Sequence, residues 1–202
     1  MTETTLLERL KHPNPNLRDR AMREIAETRD ENTIPQLMKL LAEEDMVYRR
    51  AAVKTLGAIG FDAVPSLADS LYNNDNATIR ASCTKALAQV AVNYAGESFP
   101  ELGLQALTTA LGDLNPVVHI AAAMALGAVG SQALDILIDA VKTTDNVAVA
   151  MAIVNAIGSI PEEKAKITLM ELAEDESVDD FIRETAGSAL SRWDLVKNSA
   201  RG

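Results

Sequence analysis

The chain of 202 residues is poor in the side chains from which most active sites are built. It has one cysteine, Cys83, so neither an internal disulfide nor a cysteine-based metal cluster can form. Its two histidines, His12 and His119, stand 107 positions apart. No His-x-x-x-His pair, Gly-rich phosphate loop or Ser-centred nucleophile turn occurs, and no metal site is expected. Aromatic residues are only 3% of a chain that is 48% hydrophobic, so Ala, Leu, Ile and Val carry the core. That composition suits thin, closely packed helices, and an all-helical protein is expected. The opening Met1-Thr2-Glu3-Thr4-Thr5 lacks a basic segment followed by an apolar run. No apolar stretch is expected to approach the roughly 20 residues that a bilayer span requires. Together with the single cysteine, this predicts a soluble, cytoplasmic protein without membrane insertion.

The net charge is -10, unevenly spread. Residues 1–60 hold ten Lys or Arg and ten Asp or Glu, which leaves nine and nineteen for residues 61–202. A net basic surface is what nucleic acid rewards, so nucleic acid is excluded as an expected partner. The acid is read as a solvated outer face that keeps an Ala-rich chain in solution.

What the chain does have is a recurring phrase. It reads Leu17-Arg18-Asp19-Arg20-Ala21, Tyr48-Arg49-Arg50-Ala51-Ala52, Ile79-Arg80-Ala81-Ser82-Cys83, Val118-His119-Ile120-Ala121-Ala122, Val149-Ala150-Met151-Ala152-Ile153 and Ile182-Arg183-Glu184-Thr185-Ala186. The last residues of these phrases are separated by 31, 31, 39, 31 and 33 positions, a period that belongs to stacked helical hairpins. The whole of 1–202 is therefore predicted as one uninterrupted array. Its repeats lie at about 3–30, 31–60, 61–95, 101–130, 131–160 and 161–195, with a short polar tail at 196–202.

Within a repeat, four residues before the Arg position, the chain reads Asn14, Asp45, Asn76, Asn115, Asn146 and Asp179, a cap at the start of every second helix. Pro15 and Pro116 follow two of these caps at the first helical position. The second helices are placed near 15–27, 46–59, 77–94, 116–129, 147–159 and 180–195. The first helix of the second unit is expected to be capped by Asn32, with Pro35 in its first turn; Asp62 and Pro65 repeat the device one unit later. Gly57 and Gly60 permit close packing and a stop.

Three irregularities interrupt the pattern. Residues 91–100 carry an eight-residue excess with two of the chain's seven aromatics, Tyr94 and Phe99, which form either a partner-contacting edge loop or a filler over helix ends. The first unit opens on the stiff turn His12-Pro13-Asn14-Pro15. The last brings Arg192-Trp193 where other units have small residues, as a terminal cap should.

The cap, Arg and Gly columns, as in Asn14-Pro15-Asn16-Leu17-Arg18, Leu56-Gly57-Ala58-Ile59-Gly60 and Asn115-Pro116-Val117-Val118-His119, resemble the HEAT-like repeats of the phycobilisome-lyase clan over roughly residues 5–195. The resemblance implies an alpha-alpha superhelix, a HEAT-like solenoid of about six helical hairpins. The short length, the His-Pro-Asn-Pro opening and Arg29-Asp30-Glu31-Asn32-Thr33-Ile34-Pro35 are most similar to the chaperone-like members that assist phycoerythrin maturation in cyanobacteria. It further implies a phycobiliprotein subunit as client and a second HEAT-repeat bilin lyase as partner. No cofactor would be tightly bound, and a phycobilin would be held only transiently. Two alternatives stay open: an E/F-type lyase component that itself catalyses thioether attachment, and a protein-binding scaffold with no pigment role.

The Arg column gives a ladder of candidates: Arg18, Arg49, Arg80, His119, Ala150 and Arg183. Each Arg either pairs with the cap or carboxyl group of a neighbouring unit, such as Asp45 or Asn76, or stays free for an anion. On the second reading at least Arg49, Arg50 and Arg80 stay free. Under the lyase alternative, Arg49 and Arg80 would hold the propionates of a bilin while His119 and Asp113 manage protons. Tyr48 either stacks on a conjugated ring or fills the seam between repeats. Cys83 stands in a column of Ala21, Ala52, Ala122, Ile153 and Ala186 and is expected to be buried and inert.

Overall fold

A computed structural model describes residues 5–199 of the chain, with side chains described through Trp193. Residues 1–4, where the absence of a leader was read, and residues 200–202 of the polar tail lie outside the described residues. Twelve α-helices are described, and no strand. They are α1 Leu6–Arg9, α2 Pro15–Glu27, α3 Thr33–Leu40, α4 Met46–Ile59, α5 Val64–Asn73, α6 Ala77–Asn93, α7 Glu101–Ala110, α8 Pro116–Val129, α9 Leu134–Thr143, α10 Val147–Ile157, α11 Glu163–Glu174 and α12 Asp180–Ser199. The pairs α1–α2, α3–α4, α5–α6, α9–α10 and α11–α12 pack as helical hairpins. The chain divides into two compact units, Met1–Ala106 and Leu107–Gly202, with the division inside α7.

The cap column holds in every repeat. The side-chain oxygens of Asn14, Asp45, Asn76, Asn115, Asn146 and Asp179 each accept from the backbone N–H two residues on, at 2.8–3.0 Å. Each such bond satisfies a donor that the first turn leaves orphaned and contributes about 1 kcal/mol. The first helices start differently. Asn32 makes no capping bond. Instead the Asp30 carboxylate accepts from the Asn32 N–H at 3.0 Å and the Thr33 hydroxyl at 2.8 Å, closing the turn two residues earlier than expected. Asp62 is no cap either: it lies in the 3-10 turn Gly60–Ala63 that precedes α5 and pairs with Arg29 at 2.8 Å, in the open, where such a pair adds little. That turn and its counterpart Gly130–Ala133 both begin on a glycine with φ above +80°, a conformation L side chains rarely adopt.

In the first unit α2 packs on α4 and α4 on α6, while α1, α3 and α5 cover them as a second layer. Leu10, Leu37, Leu41, Leu56, Leu67 and Leu87 are fully buried between the layers. A Cβ built on Gly57 would lie 2.3 Å from the Gln89 Cβ, so α4 and α6 touch backbone to side chain at that glycine. Gly57 and Gln89 are both near their helix C-termini, so the two helices run parallel with like ends together.

In the second unit α8 packs on α10 and α10 on α12. Gly127 of α8 meets Ala156 of α10 and Ser159 just beyond its end, the same parallel arrangement. Trp193 is buried on this unit and donates its indole N–H to the Ile160 carbonyl at 3.0 Å, sealing the last hairpin.

Residues 116–143 correct one expectation: by length and composition alone this stretch is apolar enough to cross a membrane. It is not one continuous α-helix. Gly130 turns the chain at φ +81°, and half of the most apolar window is buried inside the protein.

The excess residues after α6 fold back on the first unit. Tyr94 donates its hydroxyl to the Ala58 carbonyl at 3.0 Å and packs on Phe61, with ring centroids 5.1 Å apart. Phe99 is buried, its ring beside Gly103. Tyr94, half-buried, and Phe99, buried, fill space over α4 and α7, while residues 95–98 between them are exposed.

Candidate functional site

The Arg ladder is built into the fold. Position four of a capped helix faces back across the preceding turn, and each guanidinium there reaches two turn carbonyls of its own repeat. Nη1 of Arg18 donates to the His12 and Pro13 carbonyls at 2.6 and 3.0 Å. Nη1 of Arg49 does the same to Glu43 and Glu44, and Nη1 of Arg80 to Asn74 and Asp75, both at 2.9 Å. The expected partners were caps and carboxylates of neighbouring repeats. The observed ones are carbonyls five and six residues earlier, because a side chain at this position is aimed along its own helix toward the N-terminus. Arg183 departs from the column and pairs instead with Asp180 of its own helix at 3.0 Å.

His119 serves the fourth repeat as Arg serves the others. Its Nδ1 stands 2.9 Å from the Asp113 carbonyl, a distance that places the ring proton on Nδ1. Only 5% of the residue is exposed, and Nε2 is buried without a hydrogen-bond partner. The bond joining His119 to Asp113 therefore runs through the backbone. The Asp113 carboxylate accepts from the Asn115 N–H at 2.8 Å. What joins the two is a backbone carbonyl and not a carboxylate–imidazole bond.

Tyr48 is buried, with the Lys11 ammonium 4.3 Å from its ring centre. Burial, with Glu43 and Glu8 nearby, raises its phenol pKa. It fills the seam and offers no face to a ligand. Cys83 is fully buried, and burial pushes its thiol up to about 11, so the thiolate is scarce at neutral pH.

Of the predicted site residues Arg50 alone is exposed and, among the described residues, unbonded. It stands one helical turn before Lys54, which belongs to a second column. The 31-residue step applied to Arg23 gives Lys54 and then Lys85, and all three are exposed on the second helices of the first unit. No ion pair involves any of them among the described residues. Neither α4 nor α6 contains an Asp or Glu, although the chain has twenty-nine, so their outer faces show Arg50, Lys54 and Lys85 with no carboxylate to answer them. The signal was in the sequence as a second column in phase with the first, five residues further on. Beside it, an open groove of about 720 Å³ between α1 and α2 is lined by Glu8, Arg9, Lys11, His12, Arg20 and Glu24, where the two signs of charge are mixed.

A family profile for HEAT repeats matches residues 3–88 and 104–191. An uncharacterized phycocyanin operon protein Z of Pseudanabaena tenuis (strain PCC 7409) is 47% identical over 201 residues, covering 100% of both chains. The bilin biosynthesis protein CpeZ of Synechococcus sp. (strain WH8020) is 34% identical over 168 residues, covering 80% of this chain and 90% of its own. Among solved structures, the complex of CpcE and CpcF of phycocyanin lyase from Nostoc sp. PCC7120 matches at 20% identity and a TM-score of 0.49, over 75% of this chain and 95% of that one. A designed armadillo repeat protein matches at 19% identity and a TM-score of 0.46, over 93% of this chain and 98% of the other. By its sequence matches the chain belongs to the HEAT-repeat family, in the group that contains phycocyanin operon protein Z and the bilin biosynthesis protein CpeZ.

Proposed function

We propose that this protein is a chaperone-like factor in bilin attachment, acting in the cytoplasm beside a HEAT-repeat bilin lyase. It binds a phycobiliprotein subunit of the phycoerythrin type and improves covalent addition of the chromophore without running the chemistry itself. One observation carries the choice of helper over catalyst. His119 is buried and meets Asp113 through a backbone carbonyl, whereas Arg50, Lys54 and Lys85 stand exposed, without an ion pair among the described residues, on two helices that contain no Asp or Glu. A general base needs hydrogen-bond reach to a substrate proton, and Nε2, the basic nitrogen of His119, is buried in a residue only 5% exposed. A face of unpaired cations holds anions instead. The two propionates of a linear tetrapyrrole fit that chemistry, and the pigment is held transiently, not as a resident cofactor.

Co-expression with a phycobiliprotein subunit and bilin-synthesis enzymes, with and without a cognate lyase, tests this by scoring covalent colour on the subunit. Colour should rise only when the lyase is present. The gain should fall when Arg50, Lys54 and Lys85 are changed together to Glu in protein that remains folded. Colour with this protein alone would make it a lyase, and no change under either condition would leave a scaffold without a pigment role.

A further inference from the structure

The second unit carries an exposed feature that the proposed pigment role does not use. Leu114, Val117, Ile120 and Met124 are 99, 55, 36 and 67% exposed. On α8 the last three recur at i, i+3 and i+7, so they line one stripe of the helix, and Leu114 extends it into the preceding turn. The opposite side of α8 is already used: Val118, Ala122 and Leu126 are fully buried. Isolated exposed apolar residues are ordinary, but three in one line on one helix, with a fourth in the turn before it, mark a contact surface.

The charge around the stripe says what fits it. Neither α8 nor α10 contains a single charged residue. The surrounding unit, residues 107–202, holds fourteen Asp or Glu against seven Lys or Arg. Because α8, α10 and α12 are parallel neighbours, their N-termini share an edge, and Asp113, Asp145, Asp179 and Asp180 stand along it. An apolar stripe with an acidic edge complements a helix that has an apolar face and cations along one border. An anionic membrane surface is repelled by the same acid.

We infer that α8 is the docking site for an amphipathic, basic helix of a partner protein. The helix lays its apolar face on Val117, Ile120 and Met124 and turns its cations toward Asp113 and Asp145. The surface lies in the second unit and is independent of the cationic face of α4 and α6.

The test uses the full chain and a fluorescent synthetic helix of about 18 residues, five turns, with Leu on one face and Lys on its borders. A second peptide replaces every Lys by Glu. Anisotropy titrations should show the Lys peptide binding at least about tenfold more tightly than the Glu peptide. Val117→Ser with Met124→Ser, which alters only exposed side chains, should weaken the Lys peptide by about tenfold or more with an unchanged circular dichroism spectrum. Asp145→Lys, at an exposed position, should weaken it as well. Equal binding of both peptides, or no effect of the double Ser change, overturns the assignment. So does self-association in sedimentation that the Ser variant abolishes, since the stripe would then belong to a second copy of this chain.

Discussion

Replacing Arg49 by Ala separates a structural ladder from a binding ladder. Arg49 donates Nη1 to the Glu43 carbonyl and makes a long contact, 3.5 Å, to that of Glu44. The second contact is at the limit of hydrogen bonding and counts for little. The first joins a charged donor to a turn carbonyl and is worth about 1.5–3 kcal/mol. Loss of about 2 kcal/mol in a chain of this size lowers Tm by about 4–8 °C. Arg49→Lys keeps the charge but loses the planar fork, and should fall between wild type and Ala. Arg50→Ala, one position along, removes an exposed side chain without a bond among the described residues and should stay within about 0.5 kcal/mol. Thermal melts followed at the helical circular-dichroism band decide the matter. Equal Tm for Arg49→Ala and Arg50→Ala would refute the turn-clamp account. The same pair gives the opposite ranking in the colour assay: Arg50→Ala should reduce the gain in attachment, and folded Arg49→Ala should keep it.

Gly57→Leu should destabilise more than Gly127→Leu, because the added Cβ meets a side chain at 2.3 Å in one case and 3.0 Å in the other; about 1–3 kcal/mol is expected, read by urea unfolding, and unchanged midpoints would show no packing constraint. Trp193→Ala should cost about 3–5 kcal/mol through a cavity under the last hairpin and the lost bond to Ile160, measured in the same way. Burial holds Cys83 protonated in the folded state up to about 11, whereas the unfolded thiol ionises near 9.0. Unfolding therefore releases a proton between those values, and stability falls as pH rises through that window. Cys83→Ala should flatten this alkaline loss, and an unchanged pH profile would contradict the burial.

Much of the hairpin layout was legible because the bonds that define it are local. Asn14, Asp45, Asn76, Asn115, Asn146 and Asp179 bond to the residue two along, so a cap can be read from neighbours alone, and α4 and α8 begin and end where the cap and Gly columns put them. Asn32 failed because Asp30, two residues earlier, offers its carboxylate to the same turn, a competition that residue type does not settle. The site was only half legible. The 31-residue step placed the Arg column correctly on the second helices but not its partners, since whether a guanidinium reaches a neighbouring repeat or its own turn depends on the path of that turn. Tyr94 and Phe99 were visible as an insertion, yet the half-burial of Tyr94 against Ala58 and Phe61 and the burial of Phe99 follow from how the extra residues fold back. The outward sets were written in the sequence too, Arg23, Lys54 and Lys85 by the 31-residue step and Val117, Ile120 and Met124 by helical spacing. Periodicity establishes which residues share a stripe of a helix; only the packing of adjacent helices determines which stripe is covered and which is left to water.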